Sequence, residues 1–274
     1  MLKNRFILLI DFSPYSAYLL QFAYEWSLKV DAELLLVHRT FPATPVLADR
    51  EIKKEVVGVT NQEALVKLKE FSREILNEQV NFKYYVSEEN LLAVLPRLLR
   101  DPFNNMIFLG LNGTGILKKI FLGSVAIDLI DNIQNLLVLL PKASAHSSCE
   151  SLLVAAYKDY PLNTIEFDRL VELLSPGLKR IMFFSVIDGP LDEFDATENY
   201  LKDLTELYSN RVDASHKLYV GNVVFESVKE IITHKKDQFL VLQRGSRMFL
   251  DQISRTFVIN KLAYEGETPL IVIP

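Results

Sequence analysis

Short apolar runs alternate with longer segments of helical period, and the whole programme occurs twice along the chain, which few folds accommodate. In the first copy the strand-like runs are 6–10, 33–38, 81–86, 105–110 and 135–140, the last closed by Pro141. In the second they are 152–156, 180–187, 214–220, 238–242 and 270–273, closed by Pro274. Helical spacing lies between them. Leu19, Leu20, Ala23, Trp26 and Leu28 follow a Ser13-Pro14 start, where a capping hydroxyl precedes a proline at the first helical position. Leu65, Leu68, Phe71 and Leu76 follow a cap near Thr60 or Asn61, and segments 91–99 and 125–130 complete the first copy. Segments 165–174, 196–208, 223–232 and 257–264 are the helices of the second. Strand then helix, repeated, predicts an α/β fold whose parallel sheets are covered on both faces. A chain of 274 residues is long enough for two such domains. Residues 142–150 are small and polar without periodicity, so they are the predicted linker between domains 1–141 and 151–274.

Charge narrows the classes of function. Thirty basic residues stand against 35 acidic ones, a net −5, which gives no electrostatic argument for nucleic acid or an anionic membrane, both of which reward a basic surface. The apolar start at 6–10 is too short for a secretory signal and ends at Asp11. No run approaches the roughly 18 apolar residues of a membrane span. The expectation is a soluble cytoplasmic protein, and the lone Cys149 fits a reducing compartment. His38, His146, His216 and His234 show no paired metal-ligand spacing, so no metal site is expected.

One constellation carries chemistry. The fourth strand runs into Gly110-Leu111-Asn112-Gly113, nine residues follow, and Gly123-Ser124 then opens a helix. Glycines let the backbone approach a ligand closely, and free N–H groups at a helix start favour an anion. The loop also leaves the carboxyl end of a strand in an open parallel sheet, where ligands collect. Asp11 closes the first strand. It is placed either to accept hydrogen bonds from ribose hydroxyls or to cap the following turn beside Ser13.

The segment Ile-Leu-Leu-Ile-Asp-Phe-Ser at 7–13, the Leu-Leu-Val-His end of the second strand and the Gly110-x2-Gly113-x9-Gly123-Ser124 spacing resemble the universal stress protein family. The resemblance covers the full chain as two fused copies. It implies two tandem Rossmann-like domains, each a five-stranded parallel sheet of order 3-2-1-4-5 with helices on both faces. It further implies ATP, alone or with Mg²⁺, with Asp11, preceded by Ile10, at the ribose, Arg39 beside the adenine, and Gly110, Gly113, Gly123, Ser124 and Val125 at the phosphates. An aliphatic residue is commoner at the position of Arg39. Family members also commonly dimerise through their fifth strands, so an intramolecular pseudo-dimer through the two fifth strands is expected, with a homodimer as a further possibility.

The second copy departs from this pattern. Counting back from Pro274 places Gln243 and Ser246 where Gly110 and Gly113 stand, and Thr256 and Phe257 where Gly123 and Ser124 stand. The strand-end carboxylate becomes Ala156 or Ala155, according to register. The second half is therefore expected not to bind ATP in the family manner. No general base for hydrolysis is evident, so the expectation is a stress-response binding protein with at most slow ATP hydrolysis. Its rival is an interaction module that uses no nucleotide. An adenylating enzyme ranks last, since no Ser-Gly-Gly-x-Asp-Ser loop or His-x-Gly-His pair is present.

Overall fold

A computed structural model of the chain describes residues 2–44, 49–76, 82–110, 124–141, 149–175, 177–187, 191–220, 238–245 and 269–274. The chain divides into two compact units, Met1–Leu109 and Gly110–Pro274.

The first unit runs β1 (Lys3–Leu9), α1 (Pro14–Val30), β2 (Ala32–Arg39), α2 (Arg50–Leu76), β3 (Lys83–Ser87), α3 (Leu91–Leu98) and β4 (Phe103–Gly110), whose final residue opens the second unit. The strands lie in the order β3-β2-β1-β4 and pair in parallel. β1 is central, so Phe6, Ile7 and Leu8 are fully buried and the strand reads as a continuous apolar run rather than an alternating one. α1 starts at Pro14 after an extended Ser13 and stops at Asp31, which turns left-handed at φ 49°. Its inner face buries Leu19, Leu20, Ala23 and Trp26. Trp26 packs against Phe6, Phe22 and Phe108 at ring distances of 5.5, 5.8 and 5.4 Å.

α2 begins at Arg50, well before the predicted cap near Thr60 or Asn61. Asp49 supplies the cap, its Oδ1 accepting from the Ile52 N–H at 2.8 Å. Thr60 instead donates back to the Val56 carbonyl within the helix, and Asn61 reaches sideways to Thr40 and Glu88. Both polar side chains have partners inside or beside the helix, which is why they mimic a helix start in the sequence. At the amino end of β1, Arg5 is 3% exposed. Its guanidinium donates to Asn105, Asp101 and the Leu98 carbonyl and lies 4.2 Å from the Phe103 ring centre. One buried cation thus ties β1 to β4 and to the end of α3.

The second unit holds α4 (Ser124–Asn132), β5 (Leu136–Leu140), β6 (Ser151–Ala155), α5 (Thr164–Leu174), β7 (Arg180–Ile187), α6 (Leu191–Ser209), β8 (Asp213–Val220), β9 (Gln238–Gln243) and β10 (Leu270–Ile273). Its strand order is β5-β10-β9-β6-β7-β8. The described pairs are parallel except β10 with β5, which is antiparallel with Ile271 opposite Val138. β5, β9 and β10 are buried along their whole length. The predicted linker 142–150 falls outside the described residues except for Cys149 and Glu150. The predicted helices 223–232 and 257–264 fall outside the described residues.

Candidate functional site

In the first unit the carboxyl ends of β1 and β2 meet at Ile10 and His38. Ile10 is 3% exposed, and its N–H donates to the Val37 carbonyl at 2.9 Å. Its own carbonyl accepts from His38 Nδ1 at 2.7 Å, which sets the imidazole tautomer with the proton on that nitrogen. Burial lowers the His38 pKa below its ordinary 6.5, and the Lys67 charge pushes the same way against the Ile10 carbonyl and Asp11.

Asp11 follows directly. Its Oδ1 accepts from the Ser13 N–H at 2.9 Å and from Ser16 Oγ at 2.7 Å, while its own N–H donates to Ser16 Oγ at 3.2 Å. Partial burial raises the pKa of this carboxyl, but the hydrogen bonds outweigh it and hold it below its usual value. Asp11 is therefore an ionised, oriented carboxylate on the surface, and the Ser13 side chain donates to it as well. Both alternatives read from the sequence are compatible with this geometry. Oδ1 organises the start of α1, and an exposed carboxylate can accept further hydrogen bonds beside those from the serines.

Phe12 turns the chain. Its φ of 56° lies in the left-handed region, a conformation costing a side-chain-bearing residue about 1–2 kcal/mol. Packing offsets that strain. The ring lies 4.4 Å from His38, meets Phe71 edge-on at 5.7 Å, and carries Lys67 Nζ over its face at 4.4 Å. Neither Phe12 nor Lys67 announces this role in the sequence; only the helical register of Lys67 and Phe71, four apart on α2, hints that they share a face.

Arg39 ends β2. Its side chain donates weakly to the Glu88 carbonyl at 3.4 Å, and the guanidinium lies 4.7 Å from the ring of Phe41, which is 76% exposed. Beside it, Thr40 Oγ1 donates to Asn61 Oδ1, and Asn61 Nδ2 donates to Glu88 at 3.0 Å, fixing α2 to the ends of β2 and β3. Ile10, Asp11 and Arg39 thus lie at strand ends of the first unit. Gly110 is the exposed last residue of β4, while Ser124 and Val125 open α4, with Val125 46% exposed. Gly113 and Gly123 lie outside the described residues.

The second unit fixes the register that the sequence left open. Leu9 pairs with Val37, and the next N–H, from Ile10, donates to the Val37 carbonyl. Ala155 pairs with Phe184 in the same way, and the Ala156 N–H donates to the Phe184 carbonyl. Ala156 therefore corresponds to Ile10, and Tyr157 to Asp11. The expectation of an alanine at the carboxylate position is corrected: the counterpart is a tyrosine. The strand-to-helix connection is also longer here, eight residues against four. It folds back through a bridge between Tyr157 and Tyr160.

Gln243 locks that connection. By the pairings Ile7 with Ile107 and Leu153 with Leu240, Gln243 occupies the place of Gly110. Its Oε1 accepts from the Asn163 N–H at 2.7 Å, and its Nε2 donates to the Pro161 carbonyl at 3.1 Å. Gly245, at φ 81°, passes so close to Tyr160 that a Cβ there would collide with the hydroxyl. A buried amide bridges the groups that an open loop would leave to a ligand. Gln243→Ala should cost about 1–3 kcal/mol, because it removes two part-buried hydrogen bonds worth about 0.5–1.5 kcal/mol each. Urea unfolding measures this, and an unchanged midpoint would show that the bridge is dispensable.

No family model matches the chain, and no curated protein matches it. Solved structures do match. A universal stress protein from Archaeoglobus fulgidus aligns over 99% of this chain and 98% of its own length, with 16% identity and a TM-score of 0.64. The cytoplasmic domain of a prokaryotic cation chloride cotransporter aligns over 98% of this chain and 95% of its own, with 14% identity and a TM-score of 0.56. The chain has the universal stress protein fold.

Proposed function

We propose that the chain is a non-enzymatic stress-response protein that binds ATP, or a related adenine nucleotide, in its first repeat. The observation that carries this is Asp11, an exposed, ionised and oriented carboxylate at the end of the central strand β1. A carboxylate held in that state suits the paired hydroxyls of a ribose. The glycine spacing from Gly110 to Ser124 supplies phosphate contacts in the same reading, with Mg²⁺ accompanying the phosphates. Arg39 would meet the adenosine through its backbone, since its side chain is engaged with Phe41 and Glu88, and Ile10 through the lone pair its carbonyl keeps beyond the His38 bond. The second repeat, closed by Gln243, serves as a structural or regulatory partner. In the same reading the chain is two five-stranded repeats joined through their fifth strands, a view supported by the antiparallel pairing of β5 with β10. No described helix is long and apolar enough to cross a membrane. With the negative net charge, that favours a cytoplasmic protein.

Calorimetric titration of the whole chain with ATP and Mg²⁺ tests the proposal. One site per chain is expected. Asp11→Ala should weaken it about 10- to 100-fold, the range of a hydrogen bond to a charged group. Gly123→Val should abolish it by obstructing the phosphate approach. Undiminished binding by both variants would overturn the site. The rival reading, a module that works without nucleotide, is favoured by the Arg39–Phe41 stack and by the closed second repeat. It predicts no heat on titration of folded protein.

A further inference from the structure

α2 packs one side against the sheet, with Val56, Ala64, Leu65 and Phe71 half-buried, and turns its other side to solvent. Its 27 residues extend about 40 Å, yet Leu68 and Ser72 are its only buried residues. Along its outer side Ile52, Val59 and Val66 are 46%, 53% and 47% exposed. Isolated apolar residues on a surface need no explanation. These three are each seven residues apart, so they drift by only about 20° per step and form one stripe. Gly58 lies within that stretch, and a Cβ added there would meet nothing within 4 Å, so another backbone can approach closely.

The charges beside the stripe identify what fits it. Glu55 and Glu63 stand one helical turn before and after Val59, and Glu70 one turn after Val66, so all three carboxylates share the apolar face. All three are exposed and no described ion pair engages any of them; Arg73, seven residues after Val66, is the base that shares this face, which stays net acidic. A second copy of the chain is a poor occupant. An antiparallel copy centred on Val59 sets Glu55 against Glu63, and a parallel copy sets each glutamate against itself, both of which repel. We infer that the outer face of α2 is a docking surface for an amphipathic helix of another protein, apolar every seventh residue and flanked by lysine or arginine. The apolar seam supplies affinity and the acidic flank selects the partner's charge. This inference does not depend on nucleotide binding.

Two synthetic 21-residue helical peptides test it against the full-length chain by fluorescence anisotropy. They share leucines at heptad spacing and differ only in flanking residues, lysine in one and glutamate in the other. The lysine peptide should bind with one-to-one stoichiometry and weaken as salt rises, while the glutamate peptide should not bind. Val59→Glu, at an exposed position and checked by circular dichroism, should weaken binding at least about tenfold, as expected for a central interface residue. The triple variant Glu55→Lys, Glu63→Lys, Glu70→Lys should reverse the preference between the peptides. Failure of both peptides to bind, binding indifferent to Val59→Glu, or a preference unmoved by the triple variant would overturn the inference. Self-association of the wild-type chain that Val59→Glu abolishes would assign the face to a second copy instead.

Discussion

Val272→Asp is expected to abolish the cooperative fold of the second unit. Val272 is 2% exposed in β10, between Leu137 of β5 and Leu242 of β9. The neighbouring strand residues are buried and apolar, so the introduced carboxylate meets neither a cation nor a donor that the backbone ladder has not already used. An unpaired buried charge of this kind costs more than about 4 kcal/mol, against a typical total stability of roughly 5–15 kcal/mol. Val272→Ala is the informative control, because it removes packing without adding charge and should cost about 1–3 kcal/mol. Circular dichroism during urea titration separates the two. A wild-type midpoint for Val272→Asp would mean that β10 is not part of the core.

The strand-by-strand order of the chain was legible because most of its strands are buried on both faces. Phe6 to Leu8, Leu136 to Leu140 and Leu270 to Ile273 are unbroken apolar runs for that reason, and such runs stand out between helical segments. Pairing was less legible. β5 and β10 are equally apolar, which says only that each is covered, whereas their antiparallel register rests on residues far apart in the chain. The start of α2 was misplaced because Thr60 and Asn61 are capping residue types that here sit inside the helix, Thr60 bonded back to Val56 and Asn61 to Thr40 and Glu88, which are distant in sequence.

At the candidate site, Asp11 was legible from its place at the end of an apolar run. What fixes its state was not. Ser16 becomes its partner only because α1 brings the hydroxyl back toward the strand end, and the cluster of Phe12, His38, Phe71 and Lys67 draws on the β1–α1 turn, β2 and α2. Tyr157 was missed for a different reason. Counting along the chain cannot decide the register of β6; the hydrogen bond from Ala156 to Phe184 decides it. Gln243 shows the same limit, since a glutamine at a strand end gives no sign that its amide will bridge Pro161 and Asn163.

Trp26→Ala should show the largest loss of stability in the first unit, about 3–5 kcal/mol, the usual cost of deleting a large core aromatic. Trp26 is 2% exposed and touches three other aromatic rings, from β1, from β4 and from its own helix. Truncation removes the side chain that holds α1 against the sheet, and close-packed neighbours of fixed shape cannot refill the space. The same helix carries Ser16 and follows directly on Ser13, which together orient Asp11, so a shift of α1 would also loosen the carboxylate. Asp11→Ala should behave differently. It removes a surface group that serves the helix start, at about 0.5–2 kcal/mol, and leaves the aromatic core intact. The two variants therefore separate scaffold from site: thermal unfolding followed by circular dichroism should fall strongly for Trp26→Ala and slightly for Asp11→Ala, while Trp26→Phe, which keeps a ring in the cluster, should lie between them. Equal losses for Trp26→Ala and Asp11→Ala would mean that the β1–α1 turn, rather than the aromatic cluster, holds the first unit together.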